Sequence, residues 1–140
     1  MSDMAAHLGE MSRGLVALLG AELGEMSGDR ATMKVPVTEK LHQPQGIVHG
    51  GVYCAIVETL GSLAGSIWLG DRGNVVGVAN HTNFLRAARS GTLHGEATPL
   101  HRGRLQQLWL VVITDDAGRV LARGEVRLAN IASTAVLAKT

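Results

Sequence analysis

Hydrophobic and polar residues alternate along much of the chain, which is the pattern of β-strands with one buried face. Five segments that alternate or are rich in β-favouring residues are predicted as strands: residues 30–37, 75–86, 92–100, 106–114 and 119–131. Pro36 predicts that the first of these strands lies at a sheet edge or ends there. The short apolar run 15–23 fits either a helix end or a further strand, because periodicity does not separate the two in a short run.

One long segment, residues 51–69, has the period of a helix instead. Its large apolar residues form one stripe at about 100° per residue. They are Val52, Ile56, Leu60, Leu63 and Ile67. A shorter helix is predicted over about 3–13, where Ser2 or Asp3 is a suitable cap. Strands that follow one another and stand apart from the helix predict an α+β fold, in which an antiparallel sheet packs on the long central helix.

The composition indicates a single globular domain over residues 1–140. Hydrophobic residues make up 46% of the chain and charged residues 18%, which is enough for a real core. The net charge of +1 gives no indication of a nucleic-acid partner. We expect no membrane partner, because Glu58 and several glycines interrupt the longest apolar stretch. The single Cys54 and an N-terminus without the pattern of a signal peptide predict a cytoplasmic location.

Glu58 is the most informative residue of the predicted helix. It is the only Asp, Glu, Lys or Arg between Lys40 and Asp71. It lies roughly opposite the apolar stripe, on a face of small residues: Gly51, Cys54, Ala55, Gly61, Ser62 and Gly65. An open helix face usually carries several charges, so we expect something other than the helix's own sheet to cover this one. A lone carboxylate there is typical of a functional group; an ordinary solvent-facing glutamate is the alternative.

The sequence His49-Gly50-Gly51 stands at the start of the same helix. The first amides of a helix have no internal partners and lie at its positive end. A glycine at this point lets a substrate carbonyl approach the backbone closely. The Gly50 amide is therefore a candidate for polarising a carbonyl on which negative charge develops, although plain turn chemistry also uses glycine pairs.

The stretch from His42 to Ser62, with His49-Gly50-Gly51 and then Glu58, resembles the signature of hotdog-fold thioesterases related to phenylacetate-pathway and 4-hydroxybenzoyl-CoA thioesterases. The stretches 83–91 and 99–104 also resemble this family. The nearest likeness is to the bacterial branch that includes 1,4-dihydroxy-2-naphthoyl-CoA thioesterases. The resemblance implies hydrolysis of an acyl-CoA thioester with an aromatic or bulky acyl group. It also implies a sheet wrapped around the central helix, a homodimer with active sites at its interface, and often a dimer of dimers.

The resemblance also assigns roles to particular residues. Glu58 is implied as nucleophile or general base, and Gly50 as the source of the oxyanion amide. Gln43 is implied to position the thioester or the attacking water, and His49 to support the loop and the thioester region. Ser62 matches a hydroxyl that orients water or the acyl group.

A second set of residues is implied to bind the substrate beyond the thioester. Phe84 occupies a position where some relatives have an active-site histidine, so a ring contact is kept there while a polar contact is lost. The residues implied to contact CoA are Arg86, His101, Gly103 and Arg104. Arginine and backbone amides bind the phosphates of CoA well, whereas a solvated surface at two strand ends is the alternative reading.

The remaining residues do not predict a different chemistry. Cys54 and His49 lie on different sides of the helix, so we do not expect a thiol nucleophile. The other histidines lack metal-ligand spacing, and we expect neither a metal nor another cofactor. Two alternatives to the thioesterase stay open, a hotdog enoyl-CoA hydratase and a non-catalytic acyl-CoA-binding module. The hydratase usually needs an Asp/His pair on the helix, and no histidine lies between Gly50 and Asn80.

Overall fold

A six-stranded antiparallel sheet curves around one long helix. The computed structural model describes residues 9–10 and 12–132. The helices are α1 (Leu15–Leu19) and α2 (Gly50–Leu69), with short 3-10 turns at Glu39–Leu41 and Gly70–Arg72. The strands are β1 (Glu22–Met26), β2 (Ala31–Pro36), β3 (Asn74–Phe84), β4 (Thr92–Arg102), β5 (Gln106–Thr114) and β6 (Val120–Ile131). Their order in the sheet is β1-β2-β4-β5-β6-β3, and every neighbouring pair is antiparallel.

The strands form where the alternation predicts them. In β2, Ala31, Met33 and Val35 are buried while the intervening side chains are partly or fully exposed. Pro36 is the last residue of β2, which pairs with a strand on each side, so the proline ends the strand and does not mark a sheet edge. The ambiguous run at 15–23 contains both elements, because α1 ends at Leu19, with Gly20 as its C-cap, and β1 begins at Glu22.

The predicted short helix over 3–13 lies mostly outside the described residues. Gly9 and Glu10 are helical, and a turn follows at Ser12.

Helix α2 packs against the concave face of the sheet, and two glycines set its distance. A Cβ on Gly61 would overlap the side chain of Val126, and one on Gly65 would overlap that of Leu128. The buried Gln107 amide donates to the Gly65 carbonyl oxygen over 3.2 Å. The expectation that Gly61 and Gly65 line a face turned away from the sheet is therefore wrong. Their missing side chains let the helix approach β6 closely.

Among the described residues, the two edge strands of the sheet are β1 and β3. Strand β3 is 11 residues long and pairs with β6 on one side only. Its apolar Val78 and Phe84 are 48% and 55% exposed. A long edge strand with exposed apolar side chains is suited to pairing with another strand.

Helix α2, extended to Arg72, is long and apolar enough by length and composition to cross a bilayer. The helix packs against the sheet, and 56% of its most apolar 18-residue stretch is buried within the protein. This helix is thus the core element of the domain.

Candidate active site

The first turn of α2 is held in place by its own cap and by the loop before it. The Gly51 amide donates to His49 Nδ1 over 2.8 Å, which makes Nδ1 an acceptor and leaves the proton of the neutral ring on Nε2. The amides of Val48 and His49 donate to the carbonyl oxygens of Ala88 and Leu41, each over 2.8 Å. These bonds fix the direction in which the chain enters the helix.

A cleft of about 280 Å³ opens beside this turn. It is lined by Gln43, Ile47, Val48, Gly50, Tyr53, Phe84, Leu85, Arg86 and Ala87. Four of the residues predicted for the site, Gln43, Gly50, Phe84 and Arg86, are therefore brought together although 43 positions separate the first from the last. The walls are mostly apolar, with an amide and a guanidinium among the lining groups.

Phe84 packs directly on Gly50. A Cβ at Gly50 would lie 2.7 Å from the Phe84 ring, closer than real Cβ contacts allow. Gly50 is thus needed for packing as well as for access to the backbone. Its amide is the first of the helix and has no helical carbonyl four residues earlier to bond with.

Glu58 lies two turns further along α2, half-buried beside the edge strand β3. Its carboxylate occupies the space where a side chain at Gly77 would be, because a Cβ at that position would overlap Oε1. Asn80 Nδ2 donates to Glu58 Oε2 over 3.4 Å and to the Cys54 carbonyl oxygen over 3.0 Å. Thr82 Oγ1 in turn donates to Asn80 Oδ1 over 2.8 Å, which orients the amide. The carboxylate therefore contacts its own sheet on one side, and cover of its exposed side by another body stays a prediction.

Ser62 follows Glu58 by one turn and is likewise half-buried. The same stripe of the helix includes Gly51 and Ala55, which are exposed and half-buried. This stripe is the part of α2 that the sheet leaves open.

Gly50 and Glu58 are well separated within one chain. Eight residues of helix rise by about 12 Å. The two residues also contact the same strand at distant points, Phe84 at Gly50 and Gly77 at Glu58, and seven residues of strand span about 23 Å. A reacting carbonyl needs the amide and the carboxylate each within about 3 Å. One chain in this conformation does not bring both groups to one carbonyl.

The predicted CoA contacts fall at two ends of the domain. Arg86 lies at the cleft beside the start of α2, whereas Gly103 and Arg104 line a cleft at its C-terminal end and His101 packs against Gly103. Asn130 Nδ2 donates to the carbonyl oxygens of Gly103 and Arg104 over 2.9 and 3.2 Å. The four residues do not form one cluster within a chain.

A second, basic cleft of about 470 Å³ surrounds that C-terminal end. Trp68 is flanked by two guanidinium groups, Arg72 at 4.5 Å and Arg102 at 5.8 Å from the ring centre. Arg104 also lines this cleft. Arg102 is partly neutralised, since it donates to Asp29 Oδ1 over 2.8 Å.

Three residues of the site were not predicted from the sequence: Tyr53, Gly77 and Asn80. Gly77 and Asn80 contact Glu58 from a different element, and such a long-range contact leaves no local pattern. Tyr53 carries a weak signal, because it is the only tyrosine of the chain and follows the glycine pair by two positions.

Residues 45–122 of the chain match the thioesterase superfamily. The chain belongs to this superfamily. Protein Rv1847 of Mycobacterium tuberculosis is 53% identical over 116 residues, which are 81% of this chain and 83% of that protein. The solved structure of Rv1847 has a TM-score of 0.83 at 51% identity and covers 85% of this chain and 97% of its own.

Two further relatives are named as thioesterases. The proofreading thioesterase EntH of Cronobacter turicensis is 41% identical over 105 residues, 75% of this chain and 77% of EntH. The solved structure of thioesterase HI1161 from Haemophilus influenzae is 35% identical, with a TM-score of 0.84, and covers 89% of this chain and 87% of its own. The predicted hotdog fold is confirmed, and this thioesterase is a thioester hydrolase.

Proposed function

We propose that this thioesterase hydrolyses acyl-CoA thioesters with an aromatic acyl group, and that Glu58 is its catalytic carboxylate. The observation that carries the proposal is the placement of Glu58. The lone charge of α2 is half-buried over Gly77, and the Asn80 amide contacts one oxygen. A strand glycine that leaves room for a carboxylate holds that group in a defined position, which a solvent-facing glutamate does not need.

The Gly50 amide is the second group of the proposed mechanism and acts on the thioester carbonyl oxygen. It lies at the positive end of α2 and is free of helical bonding, so it stabilises the oxyanion that forms when the thioester carbonyl is attacked. Gln43 lines the same cleft and positions the thioester or the water. His49 holds the first turn by accepting a hydrogen bond from the Gly51 amide, and Ser62 orients water or the acyl group one turn beyond Glu58.

Two copies of the chain complete the site. If two β3 edges pair antiparallel about Ala79, the middle of the strand, the partner's Gly77 comes opposite His81. His81 is three residues from Phe84, whereas Gly77 of the same chain is seven residues away. Glu58 of the partner subunit is then much closer to Gly50 than the Glu58 of the same chain. We therefore propose a homodimer with composite sites, which in turn pairs into a dimer of dimers.

The same two-fold arrangement unites the proposed CoA contacts. Helix α2 runs antiparallel to β3, since its start contacts Phe84 and its middle contacts Gly77. Antiparallel pairing of β3 therefore places the C-terminal end of one α2 beside the N-terminal end of the other. Arg86 of one subunit and the partner's Arg104 then face one CoA, with guanidinium groups available to its phosphates.

Hydrolysis can follow two routes from this geometry. In one, a Glu58 oxygen attacks the carbonyl carbon, the thiolate of CoA leaves, and water cleaves the mixed anhydride. In the other, Glu58 takes a proton from water, whose oxygen attacks the carbonyl directly. A single turnover in ¹⁸O-labelled water distinguishes them. Label in Glu58 identifies the covalent route with water attack at the Glu58 carbonyl carbon, and label in the acid alone excludes that form of the covalent route.

The aromatic substrate follows from the character of the cleft. Phe84 and Tyr53 lie 6.0 Å apart between ring centres, and aliphatic side chains complete the walls. These aromatic and aliphatic walls support the proposed kinship with 4-hydroxybenzoyl-CoA and 1,4-dihydroxy-2-naphthoyl-CoA thioesterases. A cytoplasmic location, where acyl-CoA is available, fits the single unpaired Cys54.

Thiol release from a panel of aryl-CoA and straight-chain acyl-CoA esters tests the proposed function. We expect rapid release from at least one aryl-CoA and much slower release from straight-chain esters. Tight binding of esters without release would support a non-catalytic module in place of an enzyme. Fast hydrolysis confined to straight-chain esters would contradict the aromatic assignment while leaving the thioesterase intact.

A further inference from the structure

Two amide side chains connect the long helix to the hairpin loop between β4 and β5. Gln107 is fully buried, and its Oε1 accepts from Trp109 Nε1 over 2.8 Å. Its Nε2 donates to the Gly65 carbonyl oxygen of α2 over 3.2 Å and to Asn130 Oδ1 over 2.8 Å. Both hydrogens of the Gln107 amide are thus used, and the side chain joins α2 to β6.

The network has one self-consistent orientation. The indole of Trp109 is a donor only, so it must face the oxygen of the Gln107 amide. The Gln107 nitrogen then faces the oxygen of Asn130, which leaves the Asn130 nitrogen for the loop. A backbone carbonyl accepts and does not donate, so a loop carbonyl bonds only with that nitrogen. The buried end of the network therefore fixes which atom of Asn130 meets the loop.

Asn130 binds every carbonyl of the loop formed by residues 103–105. Its Nδ2 donates to the oxygens of Gly103 and Arg104 over 2.9 and 3.2 Å, and its backbone amide donates to the Leu105 oxygen over 2.9 Å. In a trans peptide, the carbonyl and the amide hydrogen that follows it point in opposite directions. The amides of Arg104 and Leu105 therefore point away from Asn130, and neither donates to another of the described residues.

The side chain of Arg104 is the available cation of the basic cleft. Arg72 and Arg102 line the same cleft, but Arg72 donates to two carbonyl oxygens of α2 and Arg102 donates to Asp29. Within the part of the chain that the structure describes, nothing pairs with the Arg104 guanidinium, which is exposed. A guanidinium beside free backbone amides is a combination that binds phosphate oxygens well.

We propose that Gln107 and Asn130 are positioning residues, which hold the loop 103–105 so that its two free amides and the Arg104 guanidinium bind a phosphate of CoA. This inference rests on the proposed function and adds the groups that shape the CoA contact. Because the network also bonds to α2, the loop keeps a fixed position relative to the helix that carries Glu58. A loop released from the network binds the phosphates weakly, while the thioester region stays as it is.

The test uses Asn130→Ala and two esters of the best acyl group of the panel. One is the CoA ester, and the other is the N-acetylcysteamine ester, which keeps the thioester but lacks the phosphates. In Asn130→Ala we expect KM for the CoA ester to rise about tenfold, with kcat changed by less than about twofold. The kcat/KM for the short ester should equal that of the wild type. Equal losses for both esters, or no loss for either, would overturn the inference.

A second variant separates positioning from a general loss of stability. Asn130→Asp keeps the size of the side chain and the acceptor for Gln107, but faces the loop carbonyls with an oxygen in place of the donor. It should raise KM for the CoA ester as Asn130→Ala does, and it decides the question if the alanine variant does not fold. Gln106→Ala is the matched control, because this exposed amide adjoins the same loop but lies outside the network. A rise in KM of equal size in Gln106→Ala would overturn the inference.

Calorimetry with free CoA keeps this inference separable from the proposed function. Absence of thiol release from every ester by the wild type would refute the proposed function. CoA should still bind the wild type about tenfold more tightly than Asn130→Ala, because the phosphate contacts do not depend on hydrolysis. Equal affinities of the two proteins, or no binding of CoA by the wild type, would overturn the inference.

Discussion

The first turn of α2 and its middle provide opposite kinds of chemistry. The first turn offers a free backbone amide beside an apolar, aromatic cleft, and no charged side chain of the helix lies there. The middle offers the one carboxylate of the helix, seated over a glycine and beside an amide of the edge strand. Strand β3 flanks both regions, about 23 Å apart along its length. The comparison teaches that one chain holds both parts of the proposed hydrolytic site but keeps them apart.

The largest loss of hydrolytic activity is expected when the Glu58 carboxylate is replaced. Glu58→Gln keeps the shape of the side chain and its contact with Asn80 but removes the base or nucleophile. We expect kcat for the best ester to fall by roughly 10³-fold or more, with little change in Tm. Glu125→Gln is the matched control, because Glu125 is an exposed glutamate on the outer face of β6. Equal activity in the two variants would remove Glu58 from the mechanism.

Gly77→Ala tests whether the space that Gly77 leaves for the Glu58 carboxylate is needed for activity. The added methyl group takes the space of Glu58 Oε1, and the carboxylate must move by an ångström or more. A shift of that size in a reacting group costs about 100-fold in rate. The Tm should change little, since the displaced group is the end of a flexible side chain.

Gly24→Ala is the control for this substitution. Gly24 is also a strand glycine whose Cβ would overlap a side-chain oxygen, that of Thr32, but it lies in β1, at the other edge of the sheet. Similar rates in Gly77→Ala and the wild type would show that the observed position of Glu58 is not the one used in catalysis.

Val78→Arg tests the pairing of two chains through β3. Val78 is exposed on the edge strand, and a charge there opposes association of two β3 edges. We expect the dimer to dissociate in sedimentation experiments and the activity to fall with it, while circular dichroism stays unchanged. Val120→Arg makes the same change at an exposed valine at the start of β6. This control should keep both the dimer and the activity of the wild type. A fully active Val78→Arg monomer would place the whole site in one chain.

The smallest effect, a modest loss of folding stability, is expected when the His49 cap of α2 is removed. His49→Ala removes the acceptor for the Gly51 amide, and loss of a helix cap costs about 1 kcal/mol of folding stability. His49→Asn restores a good capping residue and should recover most of the Tm. If both variants have the Tm of the wild type, the cap does not stabilise the first turn. A role of His49 would then have to show as a change in hydrolytic activity.

The sequence predicted the elements well because each has a distinct period. The alternation at Ala31, Met33 and Val35 and the helical stripe from Val52 to Leu63 reflect burial against one face. Glycine gives no such signal, and for this reason Gly61 and Gly65 were placed on the wrong side of the helix. Their orientation depends on the sheet that packs against them, which local periodicity does not describe.

The candidate site was predictable only where its residues share a motif or a family resemblance. Gln43, Gly50 and Glu58 lie in one stretch of 16 residues. The resemblance also predicted Phe84 and Arg86, which line the 280 Å³ cleft together with Gln43 and Gly50. The contacts of Gly77 and Asn80 with the Glu58 carboxylate depend on how β3 crosses the helix. The Tyr53 hydroxyl is buried without a hydrogen-bond partner among the described residues, and this depends on how the surrounding elements pack. Neither property is local in the sequence.

A mixed dimer tests the central claim most directly. One subunit carries Glu58→Gln, and the other carries Gly50→Pro, which removes the amide proton at a position where the helix backbone accepts proline. The added ring also displaces Phe84 from Gly50, so this subunit loses its amide half of the site by both effects. With different affinity tags, the heterodimer can be purified and compared with each inactive homodimer, after circular dichroism confirms that all are folded. If Gly50 of one subunit acts with Glu58 of the partner subunit, one of the two sites is intact and about half of the wild-type activity returns. A heterodimer as inactive as its parents would contradict the composite site.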